Sequence, residues 1–541
     1  MKNNKHSFKK SDKRIDKKAD KKVNIQKTLI KDINSFTKNV SLRGRINRIV
    51  QTGGPTVFFI SDGTGELSIK GFIKAGERAF PEIDEGTSVE AIVEIGEFKG
   101  ELEGEIKSIK ELTAVEIEEL ENSIREIEFE RAKVNNPGFL VSSRILEKLR
   151  DRFMEAAFQI RLAVIQNRPL IVRHHNDCDG YSSGFALEKA IMPLIIKQHS
   201  SLKAPWEYFH RAPCQSPFYE IGDSIRDTAS SLHNVAKFSN KMPLIILADN
   251  GSCEEDLMAI KQGKIHGADF IVIDHHGFEK DVISNEVLTH INPFLVEESG
   301  SNMSAGMLCV ELARFINNDI ENIAQIAAMS GYADKIDLGN RELVEKYLEI
   351  ANKEGYSKEL LSDIGLVIEY VSNKVKFMEV REYIEVIFGE PRDRQEELVS
   401  LMAPYIKELD RKGLAIGKSE ALQEKVGNVT LQTIEIEKSF PGFGFFPKPG
   451  RAVSLIHDSY QKERGVSALV TVGIMNTAIT IRATSEANFS VYDFKNYLTS
   501  NLPYAFVEGG GHKNAGALTF LPGKKDEVIK LLKEFIANRN I

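Results

Sequence analysis

Two short runs carry most of the chemistry in this chain of 541 residues: His175-Asn176-Asp177-Cys178-Asp179-Gly180 and Asp274-His275-His276. Carboxylates and imidazoles at this density are the donor set of a divalent cation. Hard ions take oxygen ligands, and imidazole moves the preference toward transition ions such as Mn²⁺. Each run follows a short apolar segment, residues 170–172 and 270–273, and a third such segment, 244–247, leads to Asp249. Apolar runs bounded by polar residues predict buried parallel strands. In open α/β sheets the chemistry collects at the carboxyl ends of the strands. His175, Asp177, Asp179, Asp249, Asp274 and His275 are therefore expected at one sheet edge. The i, i+2, i+4 spacing of His175, Asp177 and Asp179 would place them on one face of an extended segment. Gly180 would then turn the chain into a helix starting near Tyr181, whose N-terminus offers a phosphate site. His174 would face the other way and reads as structural.

That is more than one cation needs. With a fourth segment, residues 331–337 and its Asp334, the set fits two cations roughly 3.5–4 Å apart that share a carboxylate. Such a pair clamps a phosphate and acidifies a water between them, which is metal-assisted phosphoester hydrolysis. Asp274 can instead act as an outer acceptor that orients a histidine. Near the C-terminus Gly509, Gly510 and Gly511 precede His512 and Lys513. Three glycines let a backbone approach a ligand closely, which suits a phosphate or nucleotide end. A tight turn beside a strand explains them equally well.

The elements that must position these residues divide the chain. Its length predicts several domains. With 42% hydrophobic and 28% charged residues the composition is globular. No apolar run approaches the roughly 20 residues of a membrane helix, and the N-terminus lacks a signal-peptide core. Four scattered cysteines without a CxxC pair suit a reducing cytoplasm. The expectation is a cytoplasmic protein with no membrane partner. The net charge of −7 does not announce a nucleic-acid binder, although residues 1–31 hold 12 Lys or Arg against 3 Asp. Residues 1–35 read as a basic disordered tail. Residues 38–112 read as a small β-barrel, from short strands broken by turn signals. Residues 113–149 read as an acidic helical connector, 150–340 as the α/β block with a mostly parallel sheet, 341–437 as a helical linker or insert, and 438–541 as a second α/β domain. The fold class is thus multidomain α/β.

In order, HNDCDG, LADNG, IDHH, Asn292-Pro293, GYADKID and GGGHKNAG resemble the motifs of the DHH phosphoesterase superfamily. Residues 40–72 resemble the OB-fold of anticodon-binding and single-strand-binding domains. An OB-like domain ahead of the DHH block is similar to the archaeal RecJ-like single-strand exonucleases. The resemblance implies His175, Asp177 and Asp249 on one metal, and Asp179, Asp249, His275 and Asp334 on the other. It implies His276 on the scissile phosphate, Asp274 supporting the site, and Gly509, Gly510, Gly511 and His512 gripping substrate, with Arg482 a looser match. Arg43 and Arg45, with Arg48 and Lys70, would line a strand-holding groove, and Phe58 or Phe59 would stack on bases. The implied cofactor is a pair of divalent cations, Mn²⁺ before Mg²⁺ or Co²⁺. The implied activity is exonuclease action on single-stranded DNA or RNA. One alternative is a phosphodiesterase for short oligoribonucleotides, phosphoadenosine phosphate or cyclic dinucleotides. The other is a replication component associated with GINS.

Overall fold

The computed structural model describes residues 26–98, 100–199, 201–214, 216–238, 240–375, 380–440 and 447–539. Most of the basic tail, residues 1–25, lies outside the described residues. The chain forms two units, 1–122 and 123–541.

The first unit is a closed barrel of β1 (Asn39–Gln51), β2 (Thr56–Ser61), β3 (Glu66–Gly71), β4 (Ser88–Phe98) and β5 (Glu101–Glu111), in the order β1-β2-β3-β5-β4. Strand alternation settles the phenylalanine pair. Phe58 is buried in the barrel, and Phe59 faces outward beneath the Arg48 guanidinium, 4.3 Å from the ring centre. The tail expectation needs correction from residue 26 onward. Ile30 and Ile33 are buried in the barrel core, and the Ile30 amide donates to Asp62 Oδ2 at 2.8 Å. Two isoleucines three apart at a barrel mouth gain more by burial than their lysine-rich neighbours gain by staying in water.

In the second unit β6 (Leu170–His174), β7 (Phe209–Pro213), β8 (Leu244–Ala248), β9 (Asp269–Ile273) and β10 (Thr289–Ile291) form a sheet in the order β10-β9-β8-β6-β7, parallel throughout. Helices cover it, and every residue of β6 and β8 is buried, which is why both read as unbroken apolar runs rather than alternating ones. A further sheet contains β11 (Leu422–Val426), β12 (Val429–Glu435), β13 (Leu469–Ile474), β14 (Ala478–Ala483), β15 (Glu508–His512) and β16 (Ala515–Thr519), ordered β11-β12-β13-β14-β16-β15.

The segment 341–437 is therefore not one helical linker. Its last residues, β11 and β12, are strands of the C-terminal sheet, so that lobe begins earlier than residue 438. The helices Arg341–Lys353, Lys358–Val375, Arg381–Ile387 and Arg392–Glu420 share the hydrophobic core of the parallel sheet's helices. Their charged faces point outward and their apolar stripes, such as Leu361, Ile364 and Val371, point in.

Glu311 ties the helix Arg341–Lys353 and the segment around Leu140 to the helix Ala305–Ile316. It is buried, and it accepts from the Leu140 amide at 2.9 Å and the Tyr347 hydroxyl at 2.7 Å. Burial pushes its carboxyl up from 4.5 to about 7, against those two donors. A carboxyl raised in the fold stabilises below its unfolded pKa, and that contribution is lost as pH rises through the folded value. Denaturant unfolding at pH 5 and pH 7.5 is expected to show Glu311→Gln losing less stability than the parent over that interval, by up to about 3 kcal/mol at 1.36 kcal/mol per pKa unit. Parallel curves for the two proteins would remove Glu311 as the source.

Candidate metal centre

The site forms where β6, β8 and β9 end. β6 ends at His174, and the next helix, Cys178–His199, starts earlier than its sequence suggests. Asp179 thus lies in the first helical turn, and the shared extended face expected for His175, Asp177 and Asp179 does not exist. The cause is helix capping. Asp177 Oδ1 accepts from the Gly180 amide at 2.9 Å and its carbonyl from the Tyr181 amide at 3.0 Å. The turn is so tight that a Cβ on Gly180 would stand 2.1 Å from the His175 carbonyl oxygen. The three donors converge all the same, from a loop and a helical turn.

Asp249 follows β8 in the left-handed region, φ 62°, a conformation Asp tolerates better than most residues and one that collects at functional sites. Its carboxylate is fully buried, yet neither oxygen accepts a hydrogen bond. Imidazole nitrogens surround it: His175 Nδ1 at 3.5 Å from Oδ2, and His275 Nε2 at 3.5 Å and His276 Nδ1 at 3.8 Å from Oδ1. His175 Nδ1 also lies 2.9 Å from Asp177 Oδ2, and His275 Nε2 lies 3.2 Å from Asp334 Oδ2 and 3.6 Å from Asp179 Oδ2. Donor atoms gather in three groups: His175, Asp177, Asp249; Asp179, His275, Asp334; and Asp249, His275, His276. Groups that overlap at Asp249 and His275, around a buried carboxylate with unfilled lone pairs, fit two cations with Asp249 between them.

The histidines are aimed by their other nitrogens. His275 Nδ1 sits 3.0 Å from the Gly300 carbonyl oxygen, which places its proton there and turns Nε2 toward Asp249 and Asp334. A Cβ on Gly300 would be 1.8 Å from the His275 carbonyl oxygen, so this approach requires glycine. Asp274 is a support rather than a donor to the cluster. Its Oδ1 accepts from the His275 amide at 2.7 Å, the His276 amide at 3.1 Å and His276 Nδ1 at 2.8 Å, and its Oδ2 from the Ser252 amide at 3.2 Å. Asn292 donates to the His276 carbonyl at 3.0 Å and to Ser252 Oγ at 2.9 Å. Asp179 has a double role: it also accepts from the Ala305 and Gly306 amides at 3.0 and 2.8 Å and from Ser330.

The electrostatics follow from crowding. Burial and the neighbouring Asp249 and Asp334 push the Asp179 carboxyl well above its usual range. Burial and Asp177 push Asp249 up as well. Asp274 goes the other way: burial opposes ionisation, but His276 and the amides hold it well below the ordinary value. Burial alone would lower His276, yet the Asp274 carboxylate keeps it above the usual imidazole range.

Gly511 meets this cluster across a cavity lined also by Asp274, His276, Asn250, Cys253 and Phe218. The glycines lie in edge strand β15. Gly509 and Gly511 have φ of 119° and 135°, and a Cβ on Gly509 would be 2.3 Å from the Ala517 carbonyl oxygen. The Tyr492 hydroxyl donates to the Gly511 carbonyl. The side chain of His512 lies outside the described residues. Arg482 is tied up inside its own lobe, with Nε 2.9 Å from Ser454 Oγ. Arg43 and Arg45 do not form an open basic groove. Arg43 pairs with Glu116 at 2.9 Å and Glu90 at 3.5 Å, and Arg45 pairs with Glu121 at 3.0 Å. Proximity of the acidic helix to β1 is a tertiary fact, and charge spacing along the chain gave no sign of it. Gly300, Ser252, Ser330 and Tyr492 were likewise invisible as site residues, since each acts through one long-range contact.

Comparison with known proteins agrees with this anatomy. Residues 169–331 match the DHH family N-terminal domain, and residues 40–113 match an OB-fold nucleic acid binding domain of the tRNA anticodon type. The protein MJ1198 of Methanocaldococcus jannaschii is 35% identical over 527 residues, covering 92% of this chain and 69% of that protein. The DHH domain of PF0399, a protein described as belonging to a family of ribosomal proteins, is 34% identical with a TM-score of 0.74, across 79% of this chain and 99% of that one. RecJ of Thermus thermophilus in complex with Mn²⁺ overlays more loosely, with 16% identity and a TM-score of 0.47 over 72% of this chain and 55% of that one. The chain belongs to the DHH superfamily of phosphoesterases.

Removing Asp249 tests the shared carboxylate. Thermal unfolding of Asp249→Ala without metal is expected at the parent midpoint or above, because one crowded buried charge is gone. The parent should gain about 2.7 kcal/mol from Mn²⁺ at a hundred times its Kd, and the variant should gain little. An undiminished Mn²⁺ shift in Asp249→Ala would make this residue merely structural.

Proposed function

We propose that the chain is a two-cation phosphodiesterase that acts as an exonuclease on single-stranded DNA or RNA. The observation that carries the chemistry is the buried, hydrogen-bond-free carboxylate of Asp249, between the His175–Asp177 group and the Asp179–His275–Asp334 group. Divalent cations held there, Mn²⁺ by the mixed imidazole and carboxylate donors, would polarise a phosphate and acidify water. The residues of the chain do the rest. Asp274 holds the Nδ1 proton of His276, which leaves the far nitrogen of that ring to meet the phosphate from the cavity side. Gly300 keeps His275 in its donor tautomer. Gly511 of β15 lines the same cavity as His276, and a backbone free of side chains at 509–511 would suit the approach of a phosphate or nucleotide end from that side.

The choice of a strand as substrate rests on the OB-fold nucleic-acid-binding match and on the outward Phe59 under Arg48, which supplies a flat surface for a base. The ion pairing of Arg43 and Arg45 favours a second reading, a phosphodiesterase for short oligonucleotides or other small phosphoesters. Association with GINS rests on the resemblance alone. No described helix is long and apolar enough to cross a membrane.

Strands of DNA and RNA labelled at either end, together with a dinucleotide, decide between the readings. In Mn²⁺ the protein is expected to shorten long strands stepwise from one end, with no activity in EDTA and little in Ca²⁺, which polarises water less and prefers more oxygen ligands. Hydrolysis of the dinucleotide alone would give the second reading, and full activity in chelator would sink both.

Base stacking on the barrel is tested separately. Phe59→Ala is expected to weaken binding of long single strands by about 1–3 kcal/mol while dinucleotide hydrolysis stays unchanged. Equal strand affinity in variant and parent would remove the barrel face from substrate binding.

A further inference from the structure

Residues 175–177, the stretch that carries His175 and Asp177, belong to neither β6 nor the following helix. Main-chain groups outside a ladder need other partners. For the Asn176 carbonyl the partner comes from far along the chain. Lys448 Nζ donates to the Asn176 carbonyl at 2.8 Å and to Ser372 Oγ at 2.9 Å, and lies 3.6 Å from Glu369 Oε2. The other oxygen of Glu369 accepts from the Cys178 amide at 2.8 Å, capping the helix that presents Asp179. Glu369 and Ser372 lie on the helix Lys358–Val375, and Lys448 directly precedes the helix Pro449–Arg464 of the C-terminal lobe. All three stand outside residues 169–331, the stretch that matches the DHH family.

We propose that Lys448 is a positioning residue for the metal centre: by holding the Asn176 carbonyl it fixes the peptide plane that joins Asn176 to Asp177, and with it the placing of Asp177 beside His175 as cation donors. The role rests on the two-cation reading above. Lys448 suits it because three acceptors from two segments, the Asn176 carbonyl, Ser372 and Glu369, converge on one ammonium, which has three N–H donors. A charge-assisted bond to a main-chain oxygen also outlasts a neutral one. The geometry gives the helices after residue 340 a function as well. Through Glu369 and Ser372 they form the wall against which the metal loop is clamped. Through Lys448 the position of the C-terminal lobe is felt at the donors His175 and Asp177. A shift of the helix Pro449–Arg464 would pull directly on Asn176.

Lys448→Met keeps the length of the stem and removes the ammonium, and Lys448→Arg keeps a charge. Hydrogen exchange of metal-free protein, read by mass spectrometry, is expected to speed up in peptides spanning 175–181 for Lys448→Met and to remain at parent rates in peptides from β8 and β9. Calorimetric Mn²⁺ titration of the same protein is expected to show affinity reduced about 10-fold, the lower end of what outer supports of metal ligands contribute, with partial recovery in Lys448→Arg. Parent exchange rates at 175–181 in a folded Lys448→Met protein would overturn the proposal. So would parent Mn²⁺ affinity in that variant. A parent protein that binds no Mn²⁺ would instead overturn the two-cation reading, and the exchange rates would still decide whether Lys448 holds the loop.

Discussion

Negative charge gathered in a dry place governs this structure. Asp179, Asp249 and Asp274 are fully buried at one sheet edge, with Asp177 and Asp334 beside them. Removing an ionised carboxylate from water costs several kcal/mol even after relaxation, and like charges add to it. Each must be met by a donor, by a cation or by a proton. The fold answers differently for each. Asp274 is saturated by amides and an imidazole. Asp179 is half satisfied by the start of the helix Ala305–Ile316. Asp249 is left with nothing but imidazole nitrogens at 3.5 Å or more.

That gradation separates support from chemistry. Asp274, with hydrogen bonds on both oxygens and no place in the donor groups, orients His276. Asp177 and Asp179 carry hydrogen bonds and still belong to the donor groups. Asp249, with unfilled lone pairs, marks where charge must arrive. The supports also come from many elements. Gly300, Ser252, Asn292, Glu369 and Lys448 reach the centre from separate loops and helices, each replacing water that burial has removed. Such a shell tolerates little movement, which is why glycines stand where a single Cβ would collide, at 180 and 300.

The barrel shows a different economy of charge. Arg43 and Arg45 of β1 are answered by Glu90, Glu116 and Glu121, the last two on the helix Ala114–Ala132. Part-exposed pairs of this kind contribute little to stability, roughly 0–1 kcal/mol each. Their effect is on recognition, because a guanidinium already engaged attracts phosphate less. On the outward face of β2, Phe59 lies beneath the Arg48 guanidinium of β1.

Much of this was legible in the chain alone. Unbroken apolar runs before His175, Asp249 and Asp274 read correctly as buried parallel strands, because a strand covered on both faces has no reason to alternate. Alternation likewise sorted Phe58 from Phe59 once the strand was placed. Other features were decided only by tertiary structure. Asp179 sits on a helix instead of an extended face, because Asp177 caps that helix early and spacing by two cannot reveal a cap. Ile30 and Ile33 leave the basic tail because a barrel mouth is there to bury them. The strands at 422–435 hid in a charged, helix-like composition until a parallel partner, β13, completed the sheet. Residue types in order determined which donors exist and which strands deliver them. Which carboxylate is left unsatisfied, which histidine nitrogen points inward and which distant lysine holds the loop depend on contacts between residues far apart in the chain, and no local pattern encodes those.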